Sequence, residues 1–313
     1  MKVRGLYTAL VTPFNADGSV NYEQYRTLVR FQIEAGADGI VALGTTGEAP
    51  TLTSSEKKQL IGIAKEETKG HIPLIVGTGS YSTKTTIEYS QEAESLGADG
   101  LLVVTPYYNK PTPQGLYLHF KALNDAVNLP IILYAHQGRT AQNVEPETIF
   151  RIAELPKLVA VKVSATPIGQ IIQMVEMFRK MRQDFTFLSG DDMITLALMG
   201  VGGHGTISVA SNLIPMHMKA FIEAGLKGDS YLAQNLFYEI LPIMRALEIE
   251  TNPIPVKAAM NLAGMSVGGC RLPLCDLTAP SQASLAKTIK ENKQLIDRDY
   301  ALYRRAAELA LAR

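Results

Sequence analysis

The chain has 313 residues, 46% hydrophobic and 19% charged, a composition that supports a large buried core in one or two domains. Thirty basic residues balance thirty acidic ones with no basic stripe, which argues against a nucleic-acid partner. No window approaches the ~18 apolar residues of a membrane span, and the two cysteines, Cys270 and Cys275, make neither a C-x-x-C pair nor a disulfide framework.

The opening stretch "MKVRGLYTALVTPF" is basic and then apolar, but Thr12 and Pro13 break it too early for a signal peptide, so a cytoplasmic protein is expected. Within it, "LYTALVT" is the first of eight short, β-branched runs. The others are "GIVALG", "PLIVGTG", "GLLVVTP", "PIILYA", "LVAVKVS", "FTFLSG" and "HGTISV". Helix-length segments lie between them, among them Tyr22–Ala35, Ser54–Thr68, Lys84–Leu96 and Pro113–Val127. In "TSSEKKQL" Ser54 or Ser55 caps a charged first turn, and "VEPETIF" has a proline near its helix start. "AGADGIVALGTTGE" is echoed by "LGADGLLVVTPYYN", each ending a helix at its first glycine and starting a strand soon after.

Strands alternating with helices predict βαβ units and a parallel sheet. Eight such units predict a (β/α)₈ TIM barrel over residues 1–228. Strand signals cease at about Asp229, so residues 229–313 are expected to form a C-terminal helical extension. An open doubly wound sheet is the alternative, but the G-x-G-x-x-G that would follow its first strand is missing.

Lys162 is the anomaly in "LVAVKVS", because lysine is almost never fully buried without a partner or a task. A strand-end lysine can snorkel to water. In a barrel, however, alternation turns Ala160, Lys162 and Ser164 inward and Val159, Val161 and Val163 towards the helices. Lys162 then points into the barrel near the strand's C-terminal end, where barrels carry their chemistry. Desolvation there favours the neutral amine, the nucleophile that makes Schiff bases.

Such chemistry needs an acid/base and a clamp for substrate charge. Tyr134 ends the fifth strand, with Arg139 in the loop after it; Thr45 and Thr46 follow the second strand, and Tyr107 and Tyr108 the fourth. Each also has a plainer reading, as a core aromatic, a surface ion pair or a turn. Their shared position at strand ends favours a site. The glycines of "GVGGHGTIS" fit a tight turn better than phosphate binding.

These residues resemble the dihydrodipicolinate synthase/N-acetylneuraminate lyase family of class I aldolases. The likeness runs through "VTPF", "GTTGE", "GTG", "VTPYYNKPTPQGLYLHF", "GRT", the strand lysine, "SGDD", "GGHGTISV" and "NPIPVKAAMNLAG…RLPL". It implies a pyruvate Schiff base on Lys162, with Tyr134 as central acid/base and Thr45 passing protons between Tyr134 and Tyr108. Tyr108 would enter the neighbouring subunit's site, which implies a homodimer at least and commonly a homotetramer. Backbone N–H groups of Thr45 and Thr46 would hold pyruvate's carboxylate, Arg139 the carboxylate of the aldehyde partner, and the Ile207 carbonyl would line the pyruvate site. The implied reaction condenses pyruvate with aspartate-4-semialdehyde to 4-hydroxy-tetrahydrodipicolinate, on the route to diaminopimelate and lysine. No metal and no cofactor is implied.

The chain reads "YAHQGRT" where the family usually has "YNVPGRT". Loss of proline removes a fixed φ and is expected to loosen the loop. His136 is either a new acid/base or carboxylate ligand, or a tolerated loop residue. A different aldehyde partner, or a barrel that only binds ligands, are the alternatives to the implied reaction. Lysine-inhibited relatives carry histidines after "GTTGE" and an asparagine and a glutamate after "GTG". Here Ser54, Lys57, Tyr81 and Thr85 stand in those places, so lysine inhibition is not expected.

Overall fold

A computed structural model describes residues 2–311. Eight parallel strands close into a barrel in sequence order. They are β1 (Gly5–Ala9), β2 (Gly39–Ala42), β3 (Leu74–Gly77), β4 (Gly100–Val104), β5 (Ile131–His136), β6 (Leu158–Ser164), β7 (Thr186–Ser189) and β8 (Gly205–Ser208). Helices α1 (Tyr22–Glu34), α2 (Ser54–Thr68), α3 (Thr83–Ser95) and α4 (Pro113–Ala126) follow the first four strands. The next five are α5 (Gln137–Thr140), α6 (Pro146–Ala153), α7 (Ile168–Met181), α8 (Thr195–Gly200) and α9 (Pro215–Lys227). Four more complete the chain: α10 (Ser230–Ala246), α11 (Ile254–Leu262), α12 (Ala279–Glu291) and α13 (Lys293–Leu311). No described helix is long and apolar enough to cross a membrane.

Alternation along the strands divides the apolar residues into two cores. Tyr7, Val41, Ile75, Leu102, Ile132, Ala160, Leu188 and Ile207 fill the barrel, while Leu6, Ile40, Leu101, Val161 and Val163 pack under the helices. Closure joins β1 to β8, with Gly5 opposite Gly205 and Tyr7 opposite Ile207. The two backbones approach so closely that a Cβ on Gly205, whose φ is +136°, would lie 2.0 Å from the Gly5 carbonyl oxygen. Glycine is the residue that fits there.

Two local expectations need correction. Val159 does not face the helices with the other valines. The register slips where Ile131 pairs with Leu158 but Ile132 with Ala160, so Val159 is an extra residue that packs against the barrel interior. The cap of α2 is Thr53, not Ser54 or Ser55. Its hydroxyl accepts from the Glu56 N–H and the Glu56 carboxylate accepts from the Thr53 N–H, a capping box that only the Thr-x-x-Glu spacing allows. After β5, residues 137–140 form the helical turn α5, with the Thr140 hydroxyl within hydrogen-bond reach of the carbonyls of His136 and Gln142.

Candidate active site

Lys162 sits on β6 two residues below Ser164, with the small Ala160 beneath it. It is only 6% exposed and lines an inner cavity instead of reaching the outer surface, so the snorkelling alternative fails. Room for the side chain comes from Gly190, just past β7, where a Cβ would lie 2.4 Å from the lysine Cε and 2.1 Å from the Ser164 Oγ. Its Nζ lies 4.2 Å from the centroid of the Tyr134 ring on the neighbouring strand, where the register sets Tyr134 opposite Lys162. Burial pulls the lysine pKa down to about 7, with Arg139 adding to the fall and Asp192 opposing it. A large fraction of the amine is therefore neutral at physiological pH.

The Tyr134 phenol moves the other way. Burial raises its pKa, while Ser164, Arg139 and Thr45 pull it back. The two hydroxyls lie near enough to favour the ionised form, yet neither makes a hydrogen bond of standard geometry to it. The phenol holds its proton at neutral pH and can give it up to a basic partner.

The turn after β2 presents Thr45 and Thr46 to the same cavity, which encloses about 300 Å³ and is also lined by Tyr134, His136, Arg139, Lys162 and Asp192. Within the turn, Gly47 and Glu48 donate their N–H groups to the carbonyls of Gly44 and Thr45. Among the described residues, the N–H groups of Thr45 and Thr46 have no such partner. Two free backbone donors facing a polar cavity suit a carboxylate.

The C-terminal helices brace this turn. Lys257 on α11 donates to Glu48 at 2.8 Å and to the Thr12 carbonyl at 2.9 Å, and both charged side chains are 1% exposed. The second Glu48 oxygen accepts from the Arg271 N–H at 2.9 Å. Just before α11, the Asn252 Nδ2 donates to the Thr46 hydroxyl at 3.0 Å, and its carbonyl accepts from Arg139 at 3.2 Å.

Of the seven residues singled out from the sequence, Lys162, Tyr134, Thr45, Thr46 and Arg139 line one cavity. Tyr108 does not. It is 92% exposed with φ +70°, projecting from the loop after β4. Ile207 is fully buried in the barrel interior beside Tyr134 and Ala160, and is not among the side chains lining the cavity. Sequence reasoning assigned no part to Asp191, Asp192, Glu248 or Asn252, which also line it. Burial raises the Asp192 pKa against the pull of the Val209 and Ala210 N–H groups that its Oδ2 accepts, and burial beside Asp191 and Asp192 lifts Glu248 to about 7.

Comparison with known proteins places this geometry. Residues 2–292 match the model of the Dihydrodipicolinate synthetase family. The chain is 48% identical to the 4-hydroxy-tetrahydrodipicolinate synthase of Protochlamydia amoebophila, over 94% of this chain and 98% of that protein. It superposes on the dihydrodipicolinate synthase of Thermotoga maritima with TM-score 0.91 and 42% identity, covering 94% and 99% of the two chains. For the pyruvate-complexed enzyme of Acinetobacter baumannii the TM-score is 0.90 and the identity 38%, covering 93% and 99%. With a barrel lysine, a facing tyrosine and a paired-threonine turn in one cavity, and with these matches along nearly its whole length, the chain belongs to the dihydrodipicolinate synthetase family.

Proposed function

We propose that the protein is a Schiff-base-forming aldolase that condenses pyruvate with aspartate-4-semialdehyde to 4-hydroxy-tetrahydrodipicolinate. The observation that carries this reading is the buried, largely neutral amine of Lys162 against Tyr134, in a cavity that also presents Thr45, Thr46 and Arg139. Pyruvate's carboxylate takes the free N–H groups of Thr45 and Thr46, and the Ile207 carbonyl borders the same substrate. The Lys162 amine adds to the ketone carbon, water leaves with a proton from Tyr134, and an imine forms. The ionised Tyr134 takes a methyl proton to give the enamine, whose carbon attacks the aldehyde while Tyr134 returns that proton to the new alkoxide. The aldehyde substrate's own amino group then attacks the imine carbon, and the Lys162 amine leaves as the ring closes. Arg139 holds the carboxylate of the aldehyde partner.

Protons reach Tyr134 through Thr45 from Tyr108 of a second copy of the chain. The exposure of Tyr108, and its absence from the lining of its own cavity, support a homo-oligomer, a dimer at least and a tetramer by family precedent. The same reading takes residues 1–228 as the catalytic barrel and 229–313 as an extension that supports the site, as the contacts of Asn252 and Lys257 favour. A cytoplasmic location suits the two unpaired cysteines.

Borohydride reduction in the presence of pyruvate, followed by peptide mapping, tests the mechanism: a stable adduct on Lys162 is expected, and an adduct elsewhere or none would exclude it. A panel of aldehydes in the same assay tests the second substrate, with aspartate-4-semialdehyde expected to be turned over fastest.

A further inference from the structure

The proposed reaction leaves one imidazole in the cavity without a task. His136 ends β5, paired in register with Ser164, and lines the same cavity as Lys162 and Arg139. Its ring stands edge-on to Tyr134, with centroids 5.8 Å apart. It lies over Gly138 so closely that a Cβ there would come within 3.2 Å of its Cε1, so glycine at 138 leaves the ring its place.

The Nδ1 of His136 is buried with no hydrogen-bond partner. A neutral imidazole carries one donor and one acceptor nitrogen, so in either tautomer this atom lacks a counterpart that the protein does not supply. It is not alone. Ser164 Oγ, Asp192 Oδ1 and Asn252 Oδ1 are buried, unpaired and in residues lining the same cavity, which makes four of the eight such atoms among the described residues. Buried polar atoms are nearly always paired. Their concentration in the wall of one cavity leaves polar groups that small side-chain rotations can turn towards a polar occupant. With pyruvate between Lys162 and the Thr45–Thr46 turn, the side bounded by His136 and Arg139 is left for the second substrate.

We infer that His136 is a specificity-determining residue of the aldehyde subsite, hydrogen-bonding the aldehyde partner's carboxylate beside Arg139. This rests on the Schiff-base reading of the site. Burial, with Arg139 and Lys162 nearby, holds the imidazole pKa at about 4, so the ring is a neutral donor at physiological pH. A neutral donor extends the grip of the guanidinium without adding a positive charge that would repel the ammonium group of an amino-acid aldehyde.

The test compares His136→Leu, His136→Phe and His136→Gln with the unsubstituted enzyme in steady-state kinetics and in borohydride trapping with pyruvate. Leucine removes the donor, phenylalanine removes it while refilling the ring volume, and glutamine keeps one. The expected result is a rise in KM for aspartate-4-semialdehyde of about tenfold or more in the Leu and Phe variants, largely recovered with Gln, since hydrogen bonds to charged groups are the stronger ones. The pyruvate KM and the trapping on Lys162 stay within about twofold in all of them. If Leu disrupts the site so that trapping fails, the Phe variant gives the same comparison. An aldehyde KM that is unchanged, or that rises equally in Phe and Gln, overturns the inference and leaves a packing role. Absence of a pyruvate adduct in the unsubstituted enzyme overturns the Schiff-base reading itself, and the inference with it.

Discussion

Asn252 holds both ends of the cavity: its side-chain amide donates to the Thr46 hydroxyl at 3.0 Å, and its carbonyl accepts from Arg139 at 3.2 Å. Asn252→Ala removes the first bond and keeps the second. A hydrogen bond of this kind contributes about 0.5–1.5 kcal/mol net, so the pyruvate KM is expected to rise roughly two- to tenfold with the fold intact. A pyruvate KM equal to that of the parent would show that the turn keeps its geometry without Asn252.

The Lys162 pKa sets a pH dependence for adduct formation. Burial lowers it to about 7, and the neutral amine is the nucleophile, so the reactive fraction grows as pH rises through that value. About a tenth of the amine is neutral at pH 6 and about nine-tenths at pH 8, so early cyanoborohydride trapping should speed up roughly tenfold between them and then level off. A rate still climbing tenfold per unit above pH 8 would indicate a lysine with an unshifted pKa.

Tyr134→Phe keeps the ring that packs beside Lys162 and His136 and removes only the phenolic proton. Turnover should fall by ~10²–10⁴, the usual contribution of a general acid/base. Circular dichroism should be unchanged. Activity within a factor of two of the parent would take Tyr134 out of the proton path.

Free lysine at millimolar concentration should leave activity nearly unchanged. The cavity beside the site is lined by Lys57, Tyr81, Thr85 and Tyr89, and the Lys57 Nζ lies 4.6 Å from the centroid of the Tyr89 ring. A cationic amine entering there meets the like charge of Lys57 and a threonine at position 85, though solvent screening keeps the repulsion modest. The carboxylate that lines the cavity, Glu92, is already paired with Lys58. Titration of lysine into the condensation assay decides the point, and saturable inhibition would reveal a different set of contacts.

Much of this architecture was legible in the chain because it rests on local periodicity. Six of the eight strands fall wholly within the β-branched runs, β1 and β5 overrun theirs by one residue each at Gly5 and His136, and α2 occupies the predicted Ser54–Thr68 span. Lys162 was legible because a charge inside an apolar strand contradicts its surroundings. What escaped depends on contacts distant in sequence or on one-residue register. The Val159 bulge follows from how β6 meets β5, and nothing within "LVAVKVS" announces it. Asp192 and Glu248 read as ordinary acids until β7 and α10 bring them together. Asn252 gains its importance from Thr46, 206 positions earlier. His136 was singled out from the sequence, but its buried, partnerless nitrogen is visible only in the fold.

The buried pair of Glu48 and Lys257 joins residues 209 positions apart. A ribosome adding ~5–20 residues per second leaves the glutamate waiting roughly 10–40 s for its lysine. The open edge of β1 waits almost as long for β8, whose Gly205 it meets. Throughout that interval the nascent chain carries an unpaired strand edge and an uncompensated acid beneath the Thr45–Thr46 turn. Translation that halts between residues 162 and 257 therefore yields a polypeptide that carries Lys162 but lacks the lysine that pairs with Glu48 beneath the Thr45–Thr46 turn.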